Sequence, residues 1–397
     1  MAAGGRVLVV TNDFPPRRGG IESFVLALCQ RMPPDEVVVY TASMPGDREH
    51  DAGVAYPVHR DPRRTLLPTP AVRRRVVEVL HAEGCDRVLF GAAAPLGLLA
   101  PALRRAGVRR LVALTHGHEV WWATLPGSRR LLRRIGDHVD VLTYVSRWCR
   151  DRLTPALSPD TVRGMVRLSP GVDPHRFFPG CGGPAARRRL GIDPRAPVVV
   201  CTARLVRRKG QDTLVRVWPE VLRSHPAAVL LLVGDGPARA RLERLARRRS
   251  VTGSVVFTGS VAWDDVPALT DAGDVFAMPC RTRRGGLEPE AWGIVLLEAQ
   301  ACGLPVVVGS SGGAPEALAA PDSGVVVGHD AELVGALVAL LHRRRRRGPE
   351  DAVVRWTWDG AAGRLRSLWG QPAGSTERRQ PVSSRGRRRG ARSGRPS

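Results

Sequence analysis

Short apolar runs alternate with longer stretches of helical spacing along the whole chain. Residues 7–10, 37–40, 87–90 and 111–114 read as buried strands, and 20–31, 71–82, 96–105 and 128–136 read as helices between them. The scheme repeats with strands near 198–201, 229–233, 255–257, 274–278 and 305–308, and helices near 211–223, 237–248, 290–301 and 331–342. Buried strands joined through helices predict parallel sheets built by right-handed crossovers. The expected fold class is therefore α/β, with two Rossmann-like domains facing a central cleft. The segment Ser169–Pro179, rich in proline and glycine, marks the boundary between residues 1–175 and 176–350. A helical segment at 351–370 is expected to pack back on the first domain. The tail 371–397 is rich in Gly, Ser, Pro and Arg, has no apolar periodicity and is expected to be disordered. Ligands of open α/β sheets sit at the carboxyl ends of the strands, so chemistry is sought there.

Composition narrows the setting. At 397 residues the chain exceeds what one core usually organises, and none of its apolar runs is long enough to span a bilayer. The seven cysteines are scattered and never in Cys-x-x-Cys spacing, which speaks against a disulfide framework or a zinc site and for a reducing cytoplasm. A net charge of +24 attracts polyanions, and it persists outside the tail and the run Arg343–Arg347. Aromatic content is only 5% and no nucleic-acid-binding motif accompanies the charge, so no specific nucleic acid is expected as a partner. Of 61 basic side chains, Lys209 alone is a lysine. A compact ammonium binds phosphate oxygens as a point charge, which singles it out as a candidate ligand for a phosphorylated substrate.

Three motifs carry candidate chemistry. After the first strand, Asn12-Asp13-Phe-Pro-Pro-Arg-Arg-Gly19-Gly20 leads into a helix. Glycines there let backbone approach a ligand, and a helix N-terminus favours phosphate. The chain has neither Gly-x-Gly-x-x-Gly nor a P-loop, which disfavours a nicotinamide dehydrogenase and a P-loop kinase. Second, Thr115-His116-Gly-His118-Glu119 follows a strand and could bind sugar hydroxyls, handle a proton, or cap a loop. Third, Glu290 and Glu298 flank Gly293. A helix starting near Gly293 would leave Glu290 in a loop, able to reach a sugar hydroxyl, and put Glu298 inside the helix, able to accept from a ribose diol.

Gly19-Gly20, His116, Arg204 with Lys209, and Glu290-x7-Glu298 resemble, in order and domain position, the retaining glycosyltransferases of family 4 with the GT-B fold. The likeness covers about residues 6–369. Longer strings such as Thr115-His-Gly-His-Glu119 are similar to the actinobacterial branch that uses GDP-mannose to mannosylate phosphatidylinositol mannosides. The resemblance implies that Arg204 and Lys209 grip the donor diphosphate and stabilise the leaving GDP without a metal or other cofactor. It implies donor contacts from Gly19, Gly20, Val261, Glu290, Ile294, Val295 and Glu298, and acceptor contacts from Asn12, Asp13 and Gly20. His116 and His118 would stand at the reacting sugar.

Two basic helices then gain a use. Val72, Val76, Val77, Val79 and Leu80 form an apolar stripe while Arg73, Arg74 and Arg75 occupy other faces, and Ser128–Ile135 carries four more arginines. An anionic inner membrane surface attracts such residues at about 1 kcal/mol each, so a peripheral location at the cytoplasmic face of the plasma membrane is expected.

Overall fold

The computed structural model describes residues 5–17, 19–320, 323–343, 353 and 356–370. Two wholly parallel sheets divide the chain. The first contains β1 (Arg6–Val10), β2 (Val37–Ala42), β3 (Val58–Asp61), β4 (Cys85–Phe90), β5 (Arg110–Ala113), β6 (Val141–Tyr144) and β7 (Val166–Arg167), in spatial order β3-β2-β1-β4-β5-β6-β7. The second contains β8 (Val198–Thr202), β9 (Val229–Val233), β10 (Val255–Gly259), β11 (Val275–Met278), β12 (Val306–Gly309) and β13 (Gly324–Val327), in order β10-β9-β8-β11-β12-β13. Both orders wind outward from a central pair, β1/β4 in one sheet and β8/β11 in the other. At such a switch point the loops part and open a crevice beyond the strand ends.

Alternation along each strand supplies two faces. Leu8, Val10, Val38 and Tyr40 join the helix Pro70–Ala82 through Val72, Val76, Val79 and Leu80 in one core. Their neighbours Val7, Val9, Val37 and Val39 point the other way, into a cluster that continues through Val172 and Phe177 to the second sheet. Arg73, Arg74 and Arg75 remain exposed.

Four strands were not anticipated: β3, β6, β7 and β13. Val58-His-Arg-Asp61 and Val166-Arg167 lack an apolar run, and β3 and β13 are edge strands whose outer faces need no partner. The helix expected at 290–301 spans only Ile294–Ala301, because Gly293 takes φ 90 just before it.

After β7 the chain crosses between the sheets, and Val172 bridges Thr357 in parallel. The helix Trp358–Gly370 lies on the helix Gly20–Cys29. Trp358 packs on Phe24 at 5.7 Å, Asp359 pairs with Arg31 at 3.0 Å, and Arg110 donates to the Leu368 carbonyl. The tail 371–397 and Arg344–Arg347 lie outside the described residues. No helix among the described residues is long and apolar enough to cross a membrane.

Candidate active site

The histidine loop follows β5 and is organised by a fully buried carboxylate. Oε2 of Glu119 accepts the backbone N–H groups of His116 and Gly117 at 2.9 and 3.1 Å. Its Oε1 lies 3.4 Å from Nε2 of His118. Nε2 of His116 donates to the Gly91 carbonyl at 2.6 Å. A carbonyl only accepts, so the proton is on Nε2. Burial pulls the His116 pKa below its ordinary value, with the Glu119 charge opposing. The ring is therefore neutral, and its Nδ1 keeps a lone pair for a hydroxyl donor. His118 stacks parallel to His116 at 6.5 Å, while Phe24 meets His116 edge-on at 5.5 Å. Gly91 closes this corner because a Cβ there would lie 2.6 Å from the Thr11 side chain.

The Gly19-Gly20 loop stands beside it. Around Gly20 there is open space, whereas Gly19 covers the Glu22 carboxylate so closely that a Cβ would fall 2.3 Å from Oε2. Burial raises the Glu22 pKa, Asp13 adds to the rise, and Arg17 and Arg204 oppose it. Arg17 stands 3.1 Å away. Arg204, which follows β8 in the second half, is near enough for its charge to act on this carboxyl of the first half. Asn12 is already engaged: it donates to the Leu66 carbonyl and accepts the Leu66 N–H, at 3.0 and 2.6 Å, so its side chain pins the loop before the helix Pro70–Ala82.

Across the crevice, the segment Arg204–Lys209 leaves β8 and is held from beneath. Leu205 donates to the Asp235 carbonyl, and Gln211 reaches the Arg204 carbonyl. Gly236, at φ 157, leaves no room for a Cβ, which would meet Leu205 O at 2.6 Å. Gly210 then turns the chain at φ 83, and a Cβ there would sit 2.0 Å from the Pro279 carbonyl. The result is a fixed Lys209, whose Nζ lies 2.8 Å from Oε2 of Glu290. Arg208 stands 3.6 Å from the same oxygen. Burial would raise the Glu290 pKa, but Lys209 and Arg208 outweigh it and hold the carboxyl below its ordinary value. Lysine and glutamate, read separately from the sequence as diphosphate and sugar ligands, are thus one ion pair.

Glu290 lies in a loop fixed by Ser311, whose hydroxyl accepts the Glu290 N–H, and by Gly313, whose N–H donates to the Glu290 carbonyl. Gly293, Ile294 and Val295 form the start of the next helix, which has no side-chain cap. Its first N–H groups are available to an anion. Glu298, one turn further in, is buried, and burial pushes its pKa to about 7 against the charge of Arg176. Val261 is half-buried and follows β10.

The two halves touch directly. A Cβ on Gly117 would lie 2.4 Å from the Ala291 Cβ, so the histidine loop abuts the residue after Glu290. The structure thus gathers Gly19, His116, His118, Arg204, Lys209 and Glu290 along one seam, with the helix bearing Glu298 behind it. The sequence reading missed Glu22, Arg208 and the Gly234-Asp235-Gly236 loop. A carboxylate two residues after a glycine pair, and a Gly-x-Gly at a strand end, were the available signals. Among the described residues no cluster of three or more His, Cys, Asp or Glu could hold a metal ion.

Residues 18–176 match the family model Glycosyltransferase Family 4, and residues 184–349 match Glycosyl transferases group 1. The chain is 45% identical over 375 residues to a GDP-mannose-dependent alpha-(1-6)-phosphatidylinositol monomannoside mannosyltransferase of Mycolicibacterium smegmatis, covering 91% of this chain and 97% of that one. The chain belongs to the family 4 glycosyltransferases. A Corynebacterium glutamicum relative, named a GDP-mannose-dependent monoacylated alpha-(1-6)-phosphatidylinositol monomannoside mannosyltransferase, is 42% identical over 93% of this chain and 98% of its own. Among solved structures, Anabaena HepE in complex with UDP superposes with a TM-score of 0.74 at 19% identity, over 91% of this chain and 98% of that one. The fold is GT-B, with the seam between its two Rossmann-like halves.

Proposed function

We propose that this glycosyltransferase transfers mannose from GDP-mannose to phosphatidylinositol monomannoside, forming an α-(1→6)-linked dimannoside with retention at the anomeric carbon. The observation that carries the reading is the 45% identity, over nearly the whole of both chains, to a relative named for that donor and acceptor. The site chemistry agrees with it. Arg204 and Lys209 supply two cations where the leaving diphosphate gathers charge, and the uncapped helix at Ile294 adds backbone N–H groups. In this reading Lys209 shares its charge between Glu290 and the diphosphate, and Glu290 turns its second oxygen to mannose hydroxyls. His116 accepts from a sugar hydroxyl through Nδ1. Glu298 accepts from the ribose diol, Val261 packs at the base, and Asp13 and Gly20 border the acceptor. No metal or other cofactor is required.

The acceptor's lipid implies work at a surface. Trp121, Leu125 and Leu131 are exposed just after the histidine loop, beside Arg129, Arg130, Arg133 and Arg134, and they fit an anionic inner membrane leaflet approached peripherally from the cytoplasm. The test incubates purified protein with GDP-mannose and phosphatidylinositol monomannoside in anionic vesicles containing EDTA, with UDP-sugars and unmannosylated lipid as controls. Dimannosylated product from GDP-mannose alone is expected. Its absence at saturating donor refutes the substrate reading, and dependence on added divalent cation refutes metal independence.

A further inference from the structure

The carboxylate of Glu316 follows β12 in the second sheet, yet it accepts the backbone N–H groups of Arg147 and Trp148, each at 2.9 Å, in the first half. Those residues open the helix Arg147–Leu153, whose own cap, Ser146, accepts only the Cys149 N–H. The first three N–H groups of one domain's helix are therefore satisfied jointly, one locally and two from across the seam.

The same carboxylate meets Arg167 of β7 at 3.3 Å. The Arg167 guanidinium lies 5.2 Å from the Trp292 ring and 5.0 Å from the Trp356 ring, and its Nε donates to Ser169. Trp292 is two residues beyond Glu290, so this contact reaches the sugar-binding loop from behind. Three residues before Glu316, Gly313 passes so near Ser146 and the Ala291 carbonyl that a Cβ would lie 2.3 Å from each. Gly117 against Ala291 completes the joint. Through Trp292 and Ala291 the joint reaches the loop of Glu290 directly, and it reaches the loop of His116 through the capped helix, whose Cys149 Sγ would lie 3.3 Å from a Cβ on Gly117.

We propose that Glu316 is a positioning residue for glycosyl transfer: it sets the register between the histidine loop and the Glu290 loop without touching either substrate. The proposal rests on the reading that transfer occurs across the seam. The side chains of Arg167 and Glu316 are 22% and 25% exposed, so water can replace their ion pair. An ion pair this exposed contributes little by itself, so the hold of Glu316 comes chiefly from its two amide bonds.

The test compares full-length wild type, Glu316→Ala and Glu316→Gln by turnover, by GDP binding in calorimetry, and by the radius of gyration of the GDP-bound protein in small-angle scattering. A misplacement on the order of 1 Å costs about 100-fold, so Glu316→Ala should lose about that much kcat. Its Kd for GDP should stay within about twofold, since the nucleotide is held by the second half, and its radius of gyration should rise. Glu316→Gln keeps the side chain's length and one of the two acceptor oxygens, and should recover part of kcat. Wild-type kcat in the alanine variant, an equal loss of GDP affinity, or no rescue by glutamine overturns the proposal. Should Glu316→Ala fail to fold, Glu316→Gln together with Arg167→Met decides: a fall in kcat with GDP affinity kept in both supports the joint, and wild-type kcat in either overturns it. A wild-type protein that binds GDP but makes no dimannoside refutes the substrate reading alone. Scattering still judges the joint, and an unchanged radius of gyration in Glu316→Ala overturns it.

Discussion

Replacing Lys209 by alanine tests the centre of the site. Lys209 and Glu290 are nearly buried, with side chains 12% and 10% exposed, and Nζ is 2.8 Å from the carboxylate. Breaking a buried pair from one side costs about 3–5 kcal/mol. Arg208 remains 3.6 Å from the same oxygen, so the loss of stability should fall nearer about 2 kcal/mol, and the protein should stay folded. Removing one preorganised charge from a leaving group costs about 10²–10³ in rate, and kcat/KM for GDP-mannose should drop by that factor. The pH dependence of stability gives a second signature. In the wild type the Glu290 pKa is depressed, so its contribution is present above the ordinary carboxylate range and disappears as pH falls through the folded value. In Lys209→Ala burial dominates, the Glu290 pKa rises, and the variant loses stability as pH climbs. The gap in Tm between the two proteins should therefore widen from acid to neutral pH. Lys209→Arg separates charge from shape: its Tm profile should follow the wild type while turnover falls, because a guanidinium cannot reproduce the ammonium's contact. A Lys209→Ala variant within about threefold of wild-type kcat/KM, or a constant Tm gap, would refute this account of the pair.

Two other substitutions probe the frame around that pair. Glu298 has its pKa raised to about 7 by burial, so the native state takes up a proton that the unfolded chain releases, and stability falls as pH rises toward that value. Glu298→Gln should therefore melt higher than the wild type at about pH 8 and lose that advantage near pH 5, while binding GDP more weakly at the higher pH; a Tm difference independent of pH counts against the assignment. Gly210→Ala must hold an alanine at φ 83 with its Cβ 2.0 Å from the Pro279 carbonyl. It should cost about 2–4 kcal/mol and move Lys209, measurable as a lower denaturation midpoint and reduced turnover, and a variant with unchanged midpoint disproves the crowding.

The sequence made the sheets legible where strands are buried on both faces. Val7–Val10 and Val198–Cys201 are continuous apolar runs because helices cover both sides, and such runs need no context to be read. Strand β3, Val58-His-Arg-Asp61, is formed by pairing with β2 and by an edge position that tolerates charge, neither of which a local pattern records. The site divides in the same way. Glycine pairs, histidines after a strand and the spacing of Glu290 and Glu298 are local signals. The pairing of Lys209 with Glu290, 81 positions apart in the numbering, and of Glu316 with the amides of Arg147 and Trp148 depends on how two separately wound sheets meet. Nothing within either half announces those partners.

This difference explains why small residues collect at the seam. The two sheets share an apolar cluster, but the site exists only when loops from both come within contact distance. Gly117, Ala291 and Gly313 make that approach possible, and any larger side chain would hold His116 away from Glu290. Close approach alone leaves the two surfaces free to slide, since methyl and methylene contacts have little directional preference. Direction is supplied by the groups that do have it: the Glu316 carboxylate on two amides, and Arg167 between two indole rings. Packing sets how near the halves come, and the polar joint sets how they are aligned. Catalysis across the seam needs both, because a hydroxyl held by His116 and a phosphate held by Lys209 belong to one reaction only when their separation is fixed.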